Sequence, residues 1–351
     1  MRRRRPLAEI ISALTYPLHV DDITALFDPR YSSKQPRARV TKVVREGPRT
    51  ATIRFHAPPG WREHQAGQWV RVGVEIDGVR HWRSYSLSTA PGQDPAITVT
   101  DIGQVSGELV RRVRRGDILY LDPPQGEFVL PEHPRPLLMI TGGSGITPVM
   151  SMLRTLAGRR ADADVVVLHA ARTRADALFV DELDALAQSA PNVQHMLWLS
   201  GEQGRLDLTT VDTLDRLCPD WRDRAAYVCG PEGMVADAER LWADEGAGDH
   251  LTMERFNVSR VDGPAGEGGT VTFTRSDREV AVDGATTLLE AGEADGVALP
   301  SGCRMGICRT CLTKLDAGRV RDLTTGEVHG DPGDLIRTCV SAPAGDVQLD
   351  A

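Results

Sequence analysis

The spacing of hydrophobic positions changes along the chain and divides it into segments. Between Arg39 and Thr100, short runs alternate apolar and polar residues, and turns containing proline or glycine separate them. Regular alternation of this kind predicts short β-strands and an antiparallel β-barrel over residues 36–133. Over residues 134–258, continuous apolar runs alternate with helical stretches. This second pattern predicts β-α-β units that share a parallel sheet.

The two ends of the chain have patterns of their own. Within residues 1–35, apolar positions from Leu7 to Leu18 fall on one helical face and predict a short helical arm. The arm either packs on the next domain or, through its arginine run, lies against a membrane surface. Residues 259–268 are polar and glycine-rich, which predicts a linker. Residues 269–351 combine alternating strands with one short helix and predict a small α+β domain.

Length and composition limit the classes of function. The chain has 351 residues, which suits two or three domains. A net charge of −8 argues against a nucleic-acid-binding protein. No apolar run approaches the roughly 18 residues of a membrane span, and no small-residue cleavage site follows the N-terminal arginines. We therefore expect a cytoplasmic protein. Its N-terminal arm could also bring it to the inner face of the membrane.

Four cysteines carry the most specific signal in the sequence. Cys303, Cys308 and Cys311 are spaced C-x4-C-x2-C, and Cys339 follows after 27 intervening residues. Two bridged irons need four converging thiolates, of which a tight loop can deliver three. This spacing matches a plant-type [2Fe–2S] cluster. Zinc is the alternative metal, although zinc sites usually use two C-x2-C-like pairs and this sequence has one.

A short motif in the barrel segment has the chemistry of a flavin site. Arg83-Ser84-Tyr85-Ser86 lies on a predicted strand. Its arginine can hold a phosphate, its tyrosine can lie flat on a conjugated ring, and Ser86 can hydrogen-bond a ring nitrogen. Alone, this motif also fits an ordinary barrel strand. A second element, Gly103–Gly107, leads into a predicted helical stretch over Glu108–Arg115, where free N–H groups would bind phosphate.

A glycine-rich turn marks a nucleotide site in the parallel-sheet segment. The predicted strand Leu137–Thr141 runs directly into Gly142–Pro148 and then into a helix. Glycines at such a turn let the backbone approach a pyrophosphate, although Pro148 replaces the third glycine of the usual motif. After the next strand, Arg172 and Arg174 favour a 2′-phosphate and therefore NADPH over NADH. The alternative is that both are solvated surface arginines.

The order of these motifs resembles the ferredoxin–NADP⁺ reductase family of flavoproteins fused to a C-terminal plant-type ferredoxin domain, over residues 36–351. The resemblance implies a β-grasp-like last domain and FAD rather than FMN. It implies flavin-binding roles for Arg83, Ser84, Tyr85, Ser86, Leu87, Thr100, Val105 and Ser106. It implies nicotinamide-nucleotide roles for Gly142, Gly143, Gly145, Ile146, Thr147, Pro148, Arg172, Arg174, Cys229, Gly230, Pro231, Gly233 and Met234.

Three residues acquire reaction-centre roles from the same resemblance. Ser86 contacts the flavin ring, Cys229 of the Cys-Gly-Pro turn lies at the nicotinamide, and Phe256 lies near the flavin. From the residues alone, Cys229 also fits a buried apolar cysteine at a strand end. Phe256 also fits a contact between domains.

The combination of cofactors indicates an electron relay. NADPH releases two electrons together as a hydride, a [2Fe–2S] cluster accepts one, and a flavin can do both. We expect an NADPH-dependent oxidoreductase that feeds single electrons to a separate, membrane-bound fatty-acid desaturase, as the resemblance to actinobacterial reductases implies. The alternatives are a reductase for a cytochrome P450 or Rieske oxygenase and, from another class, a redox sensor without turnover.

Overall fold

The computed structural model describes residues 28, 30, 36–76, 79–132, 135–159, 162–256, 266–301, 306 and 309–351. Nearly all of the predicted arm and most of the predicted linker lie outside this part of the chain. Cys303 and Cys308 lie outside it as well.

The first folded unit is an antiparallel barrel. Its strands are β1 (Arg37–Gly47), β2 (Thr50–His56), β3 (Trp69–Ile76), β4 (Val79–Ser86), β5 (Ala96–Thr100) and β6 (Ile118–Leu121). They follow the order β4-β3-β6-β1-β2-β5, and a bridge between Leu87 and Ile97 joins the two edges. Alternate side chains such as Ile53, Phe55 and Val72 fill the interior. The predicted antiparallel barrel is confirmed.

The second unit is a five-stranded parallel sheet with helices on both faces. Its strands are β7 (Leu137–Gly142), β8 (Val165–Ala171), β9 (Val193–Leu199), β10 (Ala225–Gly230) and β11 (Leu251–Arg255), in the order β11-β10-β7-β8-β9. Neighbouring strands all run parallel, as the sequence pattern predicts. Because the strand order reverses between β7 and β10, a ligand crevice is expected at the carboxyl ends of these two strands.

The helices of the barrel unit and the parallel-sheet unit are numbered in chain order. They are α1 (Gln104–Arg111), α2 (Ile146–Arg159), α3 (Val180–Ser189), α4 (Ser200–Gln203), α5 (Asp212–Leu217) and α6 (Glu232–Asp244). Helix α1 lies beside the barrel and starts four residues before the predicted stretch Glu108–Arg115. The early start has a local cause, since the Ser106 hydroxyl oxygen accepts hydrogen bonds from the N–H groups of Ile102 and Gly103.

The third unit is a mixed sheet with one helix. Strands β12 (Gly266–Phe273), β13 (Arg278–Gly284), β14 (Leu312–Ala317), β17 (Leu335–Arg337) and β19 (Val347–Leu349) have the order β13-β12-β19-β14-β17. A small sheet contains β15 (Val320–Asp322), β16 (Val328–His329) and β18 (Ser341–Pro343), and helix α7 spans Leu288–Ala294. Strands β12 and β19 pair in parallel, which gives the expected β-grasp-like arrangement. Strand β12 begins at Gly266, inside the predicted linker 259–268.

Hydrogen bonds join the barrel to the parallel sheet. The Ser151 hydroxyl of α2 donates to the carbonyl of Thr89 at 2.6 Å, and the Tyr227 hydroxyl donates to the carbonyl of Val129 at 2.9 Å. Arg154 donates to the Ser88 carbonyl and pairs with Glu182. The two units are therefore fixed relative to each other on one side of a large cavity.

Candidate redox site

One cavity of about 2550 Å³ is shared by all three units. Its walls include Ser84 to Ser86 from the barrel, the loops after β7 and β10, and Cys339 and Val340 from the turn between β17 and β18. Ligand pockets commonly measure roughly 300–1,000 Å³. This cavity can therefore hold more than one extended ligand, with the three predicted cofactor sites opening into it.

Strand β4 forms the flavin side of the cavity. Arg83, Ser84, Tyr85 and Ser86 all line it. Tyr85 packs against the barrel core, and burial raises the pKa of its hydroxyl, which therefore stays neutral. The Ser84 hydroxyl is buried and has no hydrogen-bond partner among the described residues. Leu87 instead packs inside the barrel core.

The start of α1 lies on the same side. Thr100, Val105 and Ser106 line the cavity, and Gly103 precedes the helix. The Ser106 hydroxyl is occupied by Ile102 and Gly103, so the free backbone N–H groups of the first turn are the groups that fit a phosphate. Beyond this turn, the cavity continues along residues 46–50, which include Arg49.

Two interlocked glycine turns form the nucleotide side. Gly142, Gly143, Thr147, Gly230, Pro231 and Gly233 line the cavity. A Cβ atom on Gly145 would lie 2.1 Å from the carbonyl oxygen of Cys229, and one on Gly142 would lie 2.6 Å from Cδ of Pro231. Only glycine lets the turns after β7 and β10 approach this closely.

The side chains of the remaining predicted nucleotide residues near these turns lie behind the cavity wall. Ile146, Thr147 and Pro148 form the buried first turn of α2, and of these only Thr147 reaches the cavity. Met234 packs against the sheet, with its sulfur 2.8 Å from a Cβ atom placed on Gly230. The Cys229 side chain is fully buried, and burial raises the pKa of its thiol.

Glu254 is a site residue that the sequence interpretation missed. It lies on β11, where it pairs with Cys229 of β10, and it lines the cavity. The Ser86 hydroxyl donates to Glu254 Oε2 at 3.4 Å across the boundary between barrel and parallel sheet. Burial raises the pKa of Glu254 to about 8, so the carboxyl keeps its proton at neutral pH. The neighbouring Phe256 is 37% exposed and also lines the cavity.

The two predicted 2′-phosphate residues lie beside the cavity rather than in its wall. Arg172 and Arg174 are both exposed after β8, whereas Ala175 and Asp176 line the cavity. The Arg174 guanidinium pairs with Asp184 at 2.9 Å and with Asp181 at 3.4 Å. It is therefore held at the cavity edge by two carboxylates.

The two described cluster cysteines converge. The Sγ atoms of Cys311 and Cys339 are 3.2 Å apart, well beyond the S–S bond length of about 2.05 Å. Both are buried, and Cys339 also lines the shared cavity. Gly306, which lies between Cys303 and Cys308 in the sequence, has φ +71°, and a Cβ atom placed on it would lie 3.1 Å from Cγ2 of Val340. Two adjoining thiols beside a tight glycine turn fit two ligands of a [2Fe–2S] cluster.

Two further features concern the part of the chain that the structure describes. The side chains in this part form no group of three metal-binding residues, because two of the four predicted ligands lie outside it. Within the same residues, every helix is too short or too polar to cross a membrane.

Comparisons with known proteins agree with this geometry. Residues 139–240 match the oxidoreductase NAD-binding domain family, and residues 271–344 match the 2Fe-2S iron-sulfur cluster binding domain family. The chain is 47% identical to the NADPH oxidoreductase of Mycobacterium tuberculosis (strain ATCC 25618 / H37Rv), covering 98% of this chain and 92% of that protein.

Two more distant proteins are similar over nearly the full length. The glycine betaine monooxygenase reductase subunit of Pseudomonas aeruginosa (strain UCBPP-PA14) is 29% identical, covering 89% of this chain and 94% of that protein. The solved structure of phthalate dioxygenase reductase has a TM-score of 0.64 at 22% identity and covers 91% of this chain and 98% of that one. The chain therefore belongs to the ferredoxin–NADP⁺ reductase family of flavoprotein oxidoreductases and carries a C-terminal [2Fe–2S] domain.

Proposed function

We propose that this protein oxidises NADPH and passes the electrons through FAD and a [2Fe–2S] cluster to a separate acceptor protein. The observation that carries the proposal is the shared cavity, whose walls combine Ser84 to Ser86, the glycine turns at Gly142 and Gly230, and Cys339. A flavin bound in this cavity would supply the conversion between paired and single electron transfer that neither NADPH nor a [2Fe–2S] cluster supplies alone.

The chain's own side chains bind and orient these groups. Arg83 and the first turn of α1 would hold the flavin phosphate, and Tyr85 would contact the flavin ring. Ser86 and the protonated Glu254 form a hydrogen-bonded pair in the wall between barrel and parallel sheet, where they hold a proton beside the reacting groups. Cys303, Cys308, Cys311 and Cys339 would hold the cluster.

The choice of FAD and NADPH rests on separate observations. The cavity continues past α1 along residues 46–50, which gives room for the adenosine half of FAD that FMN lacks. Arg172 and Arg174 lie after β8 beside the cavity, where arginine suits a 2′-phosphate. The similar protein from M. tuberculosis is named an NADPH oxidoreductase.

For the acceptor, we propose a membrane-bound fatty-acid desaturase, because the order of the motifs resembles that of actinobacterial reductases that serve such enzymes. The helical arm predicted from the sequence over residues 1–35 would bring the reductase to the membrane surface. An oxygenase is the second candidate, since a relative of similar length is named a glycine betaine monooxygenase reductase subunit. Reconstitution with a purified desaturase and with a Rieske oxygenase would separate the two by which protein supports substrate oxidation.

The relay is tested by removing one cluster ligand. We expect Cys339→Ser to abolish the low-temperature EPR signal of the reduced cluster and NADPH–cytochrome c reduction, while NADPH–ferricyanide reduction by the flavin remains. The matched control is Cys218→Ser, in the parallel-sheet unit, which should keep both activities. Equal loss of both activities in Cys339→Ser would point to unfolding of the whole protein, whereas cytochrome c reduction that persists without the EPR signal would contradict the relay. The absence of steady turnover by the fully loaded wild-type protein would favour a sensor.

The same ferricyanide assay tests the cofactors. The wild-type protein should have a higher kcat/KM with NADPH than with NADH. Flavin released by heat should have the mass of FAD. Equal kcat/KM values would contradict the preference for NADPH, and released FMN would contradict the use of FAD.

A further inference from the structure

Arg71 connects the barrel to the loop that carries the cluster cysteines. It lies on β3 and is only 8% exposed. Its Nη1 is 2.9 Å from Oδ2 of Asp122 and donates to Oγ1 of Thr310 at 3.0 Å. Its Nη2 donates to the carbonyl oxygen of Ser301 at 3.5 Å. Ser301 and Thr310 flank the segment containing Cys303 and Cys308, so one guanidinium contacts both ends of the cluster loop.

The other side of Arg71 faces the flavin strand. In the ladder between β3 and β4, Arg71 is the register partner of Ser84, whose hydroxyl is buried in the cavity wall. The guanidinium carbon also lies 5.1 Å from the ring centre of Trp82 on β4. Ion pairing to Asp122 and stacking on Trp82 fix the orientation of the guanidinium before it reaches the cluster loop.

We propose that Arg71 is a positioning residue for electron transfer from the flavin to the cluster, holding both ends of the cluster loop against the flavin-binding strands. The proposal rests on the proposed function and adds a second effect. A fixed positive charge beside the loop stabilises the more negative, reduced cluster, because net charge and hydrogen bonds around a cluster set its reduction potential.

Two substitutions separate the two effects. Arg71→Gln removes both the charge and the fork of donors, whereas Arg71→Lys keeps the charge on a single nitrogen that cannot reach Asp122, Thr310 and Ser301 together. The matched control is Arg45→Gln, which removes an exposed arginine from β1 of the same barrel.

Rapid kinetics on the flavin- and cluster-loaded proteins provide the test. Stopped-flow reduction of the flavin by NADPH should be unchanged in all variants. Electron transfer to the cluster, started separately by photoreduction of the flavin, should slow by about tenfold or more in both Arg71 variants, since small displacements of reacting groups have effects of that order. The midpoint potential of the cluster should fall in Arg71→Gln and stay near the wild-type value in Arg71→Lys.

Several results would overturn the proposal. These are an unchanged cluster reduction rate in both variants, an equal slowing of both steps, or loss of the cluster EPR signal in both. If only Arg71→Gln loses the cluster, the rate of cluster reduction in Arg71→Lys decides. A slowed rate supports the proposal, and an unchanged rate overturns it. Because photoreduction does not use NADPH, failure of wild-type flavin reduction by NADPH would contradict the proposed function while leaving the Arg71 comparison intact.

Discussion

Glu254 and Ser86 show how two ordinary residues acquire a function through their environment. Each lies at the end of a strand, in different units of the molecule, and the hydroxyl of one donates to the carboxyl of the other. Burial raises the pKa of Glu254 from 4.5 to about 8. At neutral pH the pair therefore carries a proton that a solvated glutamate would have lost.

This pKa predicts a pH dependence of stability. Between pH 4.5 and about 8, the folded protein holds one proton more at Glu254 than the unfolded chain, so the free energy of unfolding falls as pH rises through this interval. Glu254→Gln cannot ionise. Its stability relative to the wild type should therefore increase from pH 4.5 to about 8 and then level off, as measured by denaturant unfolding with flavin bound. A difference that does not depend on pH, or one shared by the exposed control Glu202→Gln, would contradict the assigned pKa.

Site residues that belong to a sequence motif are easier to predict from the sequence than site residues that act through a tertiary contact. The stretch Arg83 to Ser86 has a characteristic spacing, and the structure places all four residues in the cavity wall. Glu254 is a single glutamate that resembles a solvated side chain. Only the packing of β11 against the barrel gives it a partner 168 positions away.

Helices and strands were predicted from periodicity, and their exact ends depend on local hydrogen bonds. The alternating and continuous apolar runs correctly predicted an antiparallel barrel followed by a parallel sheet. Helix α1 begins earlier than its apolar pattern because Ser106 closes its first turn. Strand β12 begins inside a segment whose glycines predicted a linker, since backbone pairing of Gly266 with Gly284 does not depend on side chains.

Because the turns after β7 and β10 are closely packed, we can predict the effect of adding a single methyl group at Gly145. Gly145→Ala would place Cβ 2.1 Å from the backbone oxygen of Cys229. We expect it to destabilise the protein by about 1–3 kcal/mol, as overpacking usually does, and to raise KM for NADPH. The control Gly158→Ala lies in α2 with open space around its Cβ and should stabilise the helix by up to about 1 kcal/mol. Thermal unfolding and steady-state kinetics test both, and an unchanged KM in Gly145→Ala would contradict the close approach.

At the scale of the whole molecule, an arginine crosses each of the two boundaries between the units that share the cavity. Arg154 joins the parallel sheet to the barrel, and Arg71 joins the barrel to the cluster loop. Neither contact could be predicted from the sequence, because each depends on how units with independent hydrophobic cores dock. Since electrons cross the two boundaries in succession, each arginine should control one step.

Arg154→Gln is the counterpart of the Arg71 substitutions. Arg154 donates to the Ser88 carbonyl, pairs with Glu182 and lies 5.0 Å from the ring centre of Phe179. Losing a charge-assisted hydrogen bond costs about 1.5–3 kcal/mol, which loosens the nucleotide-binding unit against the barrel. Stopped-flow reduction of the flavin by NADPH should slow, while cluster reduction after photoreduction of the flavin stays at the wild-type rate. The exposed Arg159→Gln, on the same helix, should change neither rate. Slowing of both steps by Arg154→Gln would show that the two boundaries do not act independently.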